Sequence, residues 1–139
     1  MGTYLNPGNV SFAKMRKGKY KDKSGLIALI NETIGTNKCL TCVSRPRRFG
    51  KTYAAQMLCA YYDNTCDSHN LFDDLEISKA ADYEEHLNKY EVIYLDIAGF
   101  LSKMDSDGIP IRDVTSRIKA AIRAELVEKY PVLAGIPDA

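Results

Sequence analysis

The chain has 139 residues, of which 45% are hydrophobic and 27% are charged, and its formal net charge is +1. These values are typical of a folded domain. A net charge this small gives no overall positive field for nucleic acid, and no apolar run approaches the roughly 18 residues of a membrane-spanning helix. The first residues contain no apolar signal segment, so we expect a cytoplasmic protein without membrane contact.

The first 23 residues are predicted to form an irregular arm followed by a basic segment. Asn6–Asn9 read Asn-Pro-Gly-Asn, which is typical of a turn. Residues 14–23 read KMRKGKYKDK, with six basic side chains and one acidic side chain. This segment is either a solvated charged surface or a patch that faces phosphate or nucleic acid. Residues 24–139 are predicted to be the N-terminal part of a single globular domain.

The next part of the chain predicts helix, strand and helix in that order. Ser24 can cap a helix through LIALINETI, and Gly35 is expected to stop it. Cys39–Val43 is short, apolar and partly β-branched, which predicts a buried strand. After Thr52, apolar residues recur at spacings of three and four, which predicts a second helix.

Downstream of residue 65 the pattern predicts helices, loops and one more strand. Residues 91–97 read EVIYLDI, a second buried strand that ends in an acid. From Ile111, apolar residues recur at every fourth position, which predicts an amphipathic helix that Pro131 ends. The other predicted elements are a loop at 66–78, a helix at 80–88 and a loop at 102–110.

Four cysteines are present, and their spacing does not favour a metal site. Cys39 and Cys42 form a C-x-x-C, while Cys59 and Cys66 are seven residues apart. A zinc site needs two close pairs or nearby histidines, and a redox pair usually begins a helix rather than lying in a strand. We interpret all four as small buried side chains in a reducing cytosol.

The alternation of helices and strands predicts an α/β fold, with one loop placed between a strand and a helix. That loop, SRPRRFGKT at residues 44–52, resembles the phosphate-binding pattern G-x-x-x-x-G-K-[ST]. In such a loop the backbone N–H groups and the helix N-terminus face phosphate. Gly50 lets the backbone approach, Lys51 reaches the β and γ phosphates, and Thr52 offers its hydroxyl to Mg²⁺.

The start of this loop departs from the pattern. Arg45 stands where a glycine is usual, and Pro46 restricts the backbone on both sides of the Arg45–Pro46 bond. Residues 45–48 are therefore expected to be rigid. Arg47 and Arg48 either add positive charge for phosphates or form ion pairs directed outward.

The run RPRRFGKT resembles the Walker A element of the predicted AAA-ATPase-like family, bacterial proteins that often carry a C-terminal PD-(D/E)XK nuclease-like domain. EVIYLDI and Asp22-Lys23 before the first predicted helix agree with it, and the resemblance covers roughly residues 10–130. It implies an AAA-like P-loop NTPase with an incomplete parallel sheet flanked by helices, and ATP and Mg²⁺ as cofactors. Residues 24–139 would then be the N-terminal part of this P-loop ATPase domain. The nucleotide-binding residues that the resemblance implies are Arg45, Pro46, Arg47, Arg48, Phe49, Gly50, Lys51 and Thr52.

A metal-binding role for Asp96 is a second hypothesis. Asp96 ends an apolar segment, as a Walker B acid does, but Ile97 and the two residues after it are not acidic. In the resembling family a later strand with an Asp-Glu pair has this role, and none occurs in residues 98–139. The alternative is that Asp96 caps the next turn. We therefore expect a truncated sequence that binds nucleotide but does not hydrolyse it alone.

Two functions remain open at this point. The first is the ATP-binding portion of an AAA-type ATPase, whose parent protein contacts nucleic acid through an attached nuclease-like domain absent here. The alternative is a non-catalytic module that binds phosphate or nucleic-acid backbone through its arginines and residues 14–23. A P-loop kinase is a third reading, without an acceptor pocket to support it. Unpaired strand edges would also favour self-association.

Overall fold

The computed structural model describes residues 2–46, 48 and 50–137, and this part of the chain is helical. Within it lie seven α-helices and three short 3₁₀ segments, at Glu76–Lys79, Ile111–Asp113 and Pro131–Gly135. The α-helices are α1 (Val10–Arg16), α2 (Gly25–Asn31), α3 (Lys51–Tyr62), α4 (His69–Phe72), α5 (Tyr83–His86), α6 (Ile97–Ser106) and α7 (Val114–Lys129).

The predicted α/β fold with an incomplete parallel sheet is wrong. The described residues contain no β-strand, and only two isolated bridges occur, Leu5 with Ile93 and Asp63 with Tyr90. The predicted strand Cys39–Val43 is irregular and exposed, with 94% of Leu40 accessible to solvent. A strand is stable only when the backbone of a neighbouring strand pairs with it through hydrogen bonds. The described residues contain no strand that could pair with this segment. An apolar sequence alone therefore does not make this segment a strand.

Several helix boundaries also differ from the predictions. A helix, α1, lies where the irregular arm and basic segment were predicted, and α6 covers much of the predicted loop at 102–110. The first predicted helix ends at Asn31 rather than near Gly35. The helix after the loop is confirmed as α3, and the amphipathic helix after Ile111 is confirmed as α7, preceded by a 3₁₀ turn.

The described chain divides into a central unit, residues 7–92, and a terminal unit, residues 1–6 with 93–139. The core of the central unit joins α1, α3 and α4 through aromatic rings. Phe12 and Phe72 are fully buried and stack with their centroids 4.9 Å apart, and Tyr61 meets Phe72 edge-on at 5.4 Å. Such contacts stabilise a core beyond the area they bury, so α1 is held close to α3, which follows the loop.

A buried carboxylate links the two ends of this helical core. Asp63, at the C-terminal end of α3, accepts a hydrogen bond from the Gly8 N–H at 2.6 Å and one from the Thr65 N–H at 2.8 Å. A buried charge is tolerated only when donors compensate it in this way. The turn before α1 is thereby fixed against the end of α3.

In the terminal unit, one side chain of α7 accepts several hydrogen bonds from the N-terminal backbone. The carboxylate of Glu125 accepts hydrogen bonds from the backbone N–H groups of Thr3, Tyr4 and Leu5, at 2.8, 2.9 and 2.7 Å. The Tyr94 N–H donates to the carbonyl of Tyr4 at 2.8 Å. The N-terminal residues therefore lie against α7 and the segment before α6.

The cysteines differ in exposure, contrary to the expectation that all four are buried. Cys59 is buried in α3, and burial raises the pKa of its thiol to about 11. Cys39 and Cys42 are both exposed in the irregular segment before the loop. Within the described residues, none of the helices combines the length and apolar character needed to cross a lipid bilayer.

Candidate functional site

The site begins where the loop turns into α3. Gly50 precedes the helix in the left-handed conformation, with φ 79° and ψ 26°, which residues other than glycine seldom adopt. Lys51 and Thr52 are the first two residues of the helix, and both are exposed. Gly50 has no side chain with which to cap this end, so the first N–H groups of a 12-residue helix lie beside an exposed lysine and an exposed hydroxyl.

The loop before Gly50 is closed by a hydrogen bond from its own lysine. The Lys51 ammonium donates to the backbone carbonyl of Arg45 at 2.8 Å, which joins the two ends of the loop. Arg48 has a positive φ of 67°, so the chain turns sharply twice within three residues. Arg45, Pro46 and Arg48 are exposed. Of the predicted site residues, Arg47 and Phe49 lie outside the described residues.

A cavity of about 810 Å³ adjoins this turn within the central unit. Gly50, Tyr53 and Ala54 form one side, and residues of the basic segment 14–23 form much of the rest. None of the described residues that line the cavity is acidic. The basic side chains at the cavity are Lys14, Lys19, Lys21, Lys23 and Arg48. The volume is that of a small-molecule site, and its charge suits an anion.

Aromatic and sulfur-containing side chains supply the apolar part of the same cavity. Tyr20 and Tyr53 both line it, and 61% of Tyr53 is accessible to solvent. The Tyr20 hydroxyl contacts the sulfur of Met57 at 3.3 Å, and burial raises the pKa of Tyr20, so its phenol is neutral at pH 7. A planar heterocycle stacks well on such rings. The cavity thus combines cations for phosphate with surfaces for a base.

Sequence patterns did not predict this cavity as a unit. Residues 14–23 were expected to be either solvated surface or a phosphate-facing patch, and most of them line the cavity that Gly50 also lines. The only signal for a base-binding surface was Tyr20 among lysines. Tyr53 is one of the apolar residues whose spacing predicted the helix after Thr52, yet it is largely exposed at the cavity.

Asp96 lies in the terminal unit and caps a helix. Its carboxylate accepts a hydrogen bond from the Gly99 N–H at 3.0 Å at the start of α6. This is the capping role that the sequence offered as an alternative to metal binding. A capping carboxylate retains further oxygen lone pairs, so the hydrogen bond does not itself test a metal role.

The residues at the turn fit a phosphate-bearing ligand with Mg²⁺. Gly50 already has the backbone conformation that the loop needs, and the Lys51 ammonium already lies within the loop. The described residues contain no group of three or more His, Cys, Asp or Glu side chains placed to hold a metal ion. Mg²⁺ with nucleotides usually takes one or two protein oxygens together with phosphate and water, and Thr52 offers one such oxygen.

Comparison with known proteins gives one match. A family model described as predicted AAA-ATPase matches residues 7–130, which is most of the chain. Neither the comparison with curated proteins nor that with solved structures found a match.

Proposed function

Because the chain belongs to the predicted AAA-ATPase family, we propose that it binds Mg·ATP at the turn that begins α3, as the nucleotide-binding portion of a cytoplasmic ATPase. The observation that carries this proposal is the position of Gly50, Lys51 and Thr52. They stand at an uncapped helix N-terminus, beside a cavity whose described lining includes five basic side chains and no acidic one. Helix N–H groups together with nearby positive charge suit the phosphates of a nucleoside triphosphate.

Each residue of the turn has a separate task in this proposal. The Lys51 ammonium exchanges its hydrogen bond to the Arg45 carbonyl for phosphate oxygens, and the first N–H groups of α3 hold the same phosphates. The Thr52 hydroxyl holds Mg²⁺, which when bound neutralises phosphate charge. Arg45 and Arg48 are exposed at the loop and add positive charge, and we assign Pro46, Arg47 and Phe49 to the same loop by the family pattern.

The cavity accounts for the rest of the nucleotide. Tyr53 is largely exposed at the cavity and offers a ring on which a purine stacks, and Tyr20 lines the same cavity. Nothing in these contacts distinguishes adenine from guanine by hydrogen bonding, so the choice of ATP rests on the family match.

Thermal unfolding tests this proposal. A ligand specific to the folded state stabilises by RT ln(1 + [L]/Kd), about 2.7 kcal/mol at a hundredfold excess over Kd. Mg·ATP should therefore raise the melting temperature by several degrees, and Lys51→Ala should remove most of the rise. Lys17→Ala is the matched control, because Lys17 is an exposed lysine of the basic segment that is not among the described lining residues. An equal rise in the Lys51 variant would overturn the proposal.

A second candidate function is binding of nucleic-acid backbone. It is favoured by the same lysines and Arg48, which together form a cationic surface. Salt separates the two functions. Backbone binding should weaken steeply between 50 and 200 mM salt, by about 10³-fold or more if six phosphates are contacted. Mg·ATP binding should instead depend on the metal and on Lys51.

A further inference from the structure

We propose that Lys23, which lies outside the loop, is a second phosphate-binding lysine of this site. The inference rests on the proposed nucleotide site and adds a residue to it. It comes from the position of the Lys23 ammonium at Gly50, the residue where the loop turns into α3.

The backbone of Lys23 is fixed by its two neighbours. The Asp22 carboxylate accepts hydrogen bonds from the N–H groups of Ser24 and Glu76, both at 2.8 Å. The Ser24 hydroxyl, which is fully buried, accepts one from the Ile77 N–H at 3.1 Å. Residues on both sides of Lys23 are therefore attached to the 3₁₀ turn Glu76–Lys79. The origin of the Lys23 side chain is held in place, although the side chain itself is long.

The charge of Asp22 is maintained by these donors. Burial acts to raise the pKa of the Asp22 carboxyl, but the N–H groups of Glu76 and Ser24 outweigh it, and the pKa lies below its usual value. Both carboxylate oxygens of Asp22 are engaged by backbone donors. The acid next to Lys23 thus serves to position the backbone.

The head of the Lys23 side chain reaches the loop. Its Nζ lies 2.6 Å, and its Cε 3.9 Å, from the point where a Cβ on residue 50 would stand. Because Gly50 has no side chain, the ammonium occupies the space directly above the backbone that precedes Lys51. Two lysines therefore converge on the same turn, Lys51 from within the loop and Lys23 from the start of α2.

Charge explains what a second lysine adds. A nucleoside triphosphate carries about four negative charges, and the described lining of the cavity offers no acid to repel them. The ammonium of a lysine is a compact point charge on a flexible stem, which suits phosphate oxygens that differ in position between ligands. Lys23 should therefore strengthen binding of the phosphate chain and leave contacts to the base unchanged.

The test compares Lys23→Met, Lys23→Arg and the matched control Lys17→Met in displacement of a fluorescent ATP analogue. The competitors are Mg·ATP and inorganic triphosphate, which has the phosphates without the nucleoside. A charge-assisted hydrogen bond at an exposed site predicts that Lys23→Met weakens both competitors about tenfold. Lys23→Arg should restore most of this loss, and Lys17→Met should bind like the wild type. Tyr53→Ala should weaken ATP and leave inorganic triphosphate unaffected.

The outcomes separate this inference from the proposed function. One outcome is that wild-type protein binds ATP in a Lys51-dependent manner, while Lys23→Met binds both competitors as well as Lys17→Met does. The assignment of Lys23 is then overturned, and the nucleotide site stands. If Lys23→Arg does not restore binding, although its melting temperature without ligand equals that of the wild type, the positive charge is not what matters and the assignment is again overturned. If the wild type binds no ATP, both proposals fail together.

Discussion

The ammonium of Lys51 is hydrogen-bonded to the backbone carbonyl of Arg45, 2.8 Å away, so the first residue of α3 holds a residue near the start of the loop. The bond joins two parts of the loop, and the Lys23 ammonium lies at Gly50 beside it. An ammonium has three N–H donors, and the bond to Arg45 uses one of them. The Lys51 ammonium can therefore meet a phosphate by reorienting where it is, without crossing the site.

Removing this bond should loosen the loop. In Lys51→Met we expect trypsin to cleave after Arg48 about two- to tenfold faster than in the wild type, because one net hydrogen bond no longer opposes local opening. Peptide mass analysis over a time course measures the rate. Cleavage after Lys129, at the end of α7, serves as the internal reference and should not change. Equal rates after Arg48 in both proteins would show that the bond does not restrain the loop.

The left-handed conformation of Gly50 makes a second prediction. Gly50→Ala forces a residue with a side chain to adopt φ 79° and should lower the free energy of unfolding by about 1 kcal/mol. It should also weaken Mg·ATP binding, because the new methyl group displaces the Lys23 ammonium. Gly18→Ala is the matched control at the same cavity, where a Cβ would meet only the Met15 carbonyl at 3.6 Å. Urea unfolding and ligand titration of both variants provide the measurements. A Gly50 variant as stable as the Gly18 variant would contradict the assigned backbone.

Turnover is expected to be absent in this chain. No Asp-Glu pair that follows an apolar segment occurs in residues 98–139 to place Mg²⁺ and water. Phosphate release from Mg·ATP should therefore not exceed that of a Lys51→Ala preparation. Activity that Asp96→Asn abolishes would overturn this prediction and identify Asp96 as the Walker B acid.

The Glu125 carboxylate predicts how acid affects the terminal unit. Burial acts to raise its pKa, but the N–H groups of Leu5, Tyr4 and Thr3 outweigh it and hold the pKa below 4.5, its ordinary value. A group with a depressed folded-state pKa contributes stability that is present above its unfolded pKa and is lost as the pH falls through the folded pKa. Below about pH 4.5, the wild type should therefore lose more stability than Glu125→Gln.

Chemical unfolding between pH 7 and pH 3 measures this difference. At pH 7, Glu125→Gln should be less stable by about 1 kcal/mol, since an amide oxygen accepts hydrogen bonds less strongly than a carboxylate. Glu128→Gln, an exposed acid on the same helix, is the control and should keep the wild-type pH profile. If all three proteins have the same profile, the three backbone bonds contribute no measurable stability.

The local parts of the site could be predicted from the sequence, and the parts that depend on packing could not. Gly50, Lys51 and Thr52 were placed at a helix start because they match the end of the phosphate-binding loop pattern and a helical spacing of apolar residues follows them, and both signals are short-range. Cys39–Val43 was predicted as a strand from its composition, but strand formation depends on partners that composition does not reveal. The family resemblance was confirmed while the sheet that it implied was not.

The cavity also depends on packing between segments that are distant in the sequence. Lys14 and Gly50 are 36 positions apart, and they border one cavity because Phe12 packs on Phe72 beside α3. No periodicity in either segment encodes that packing. Tyr53 is exposed because the core covers a different face of α3. The sequence of α3 has apolar residues on more than one side, so it does not show which face the core covers.

The hydrogen bonds of Glu125 also bear on the order in which the protein can fold during synthesis. They join residues 120 to 122 positions apart, whereas the central unit is one continuous stretch of 7–92. The ribosome synthesises the whole of that stretch before it adds Glu125. The central unit can therefore become compact early, while Thr3, Tyr4 and Leu5 must wait for α7 with their N–H groups bound to water. Slow translation between codons 92 and 125 would lengthen that interval without altering the final structure.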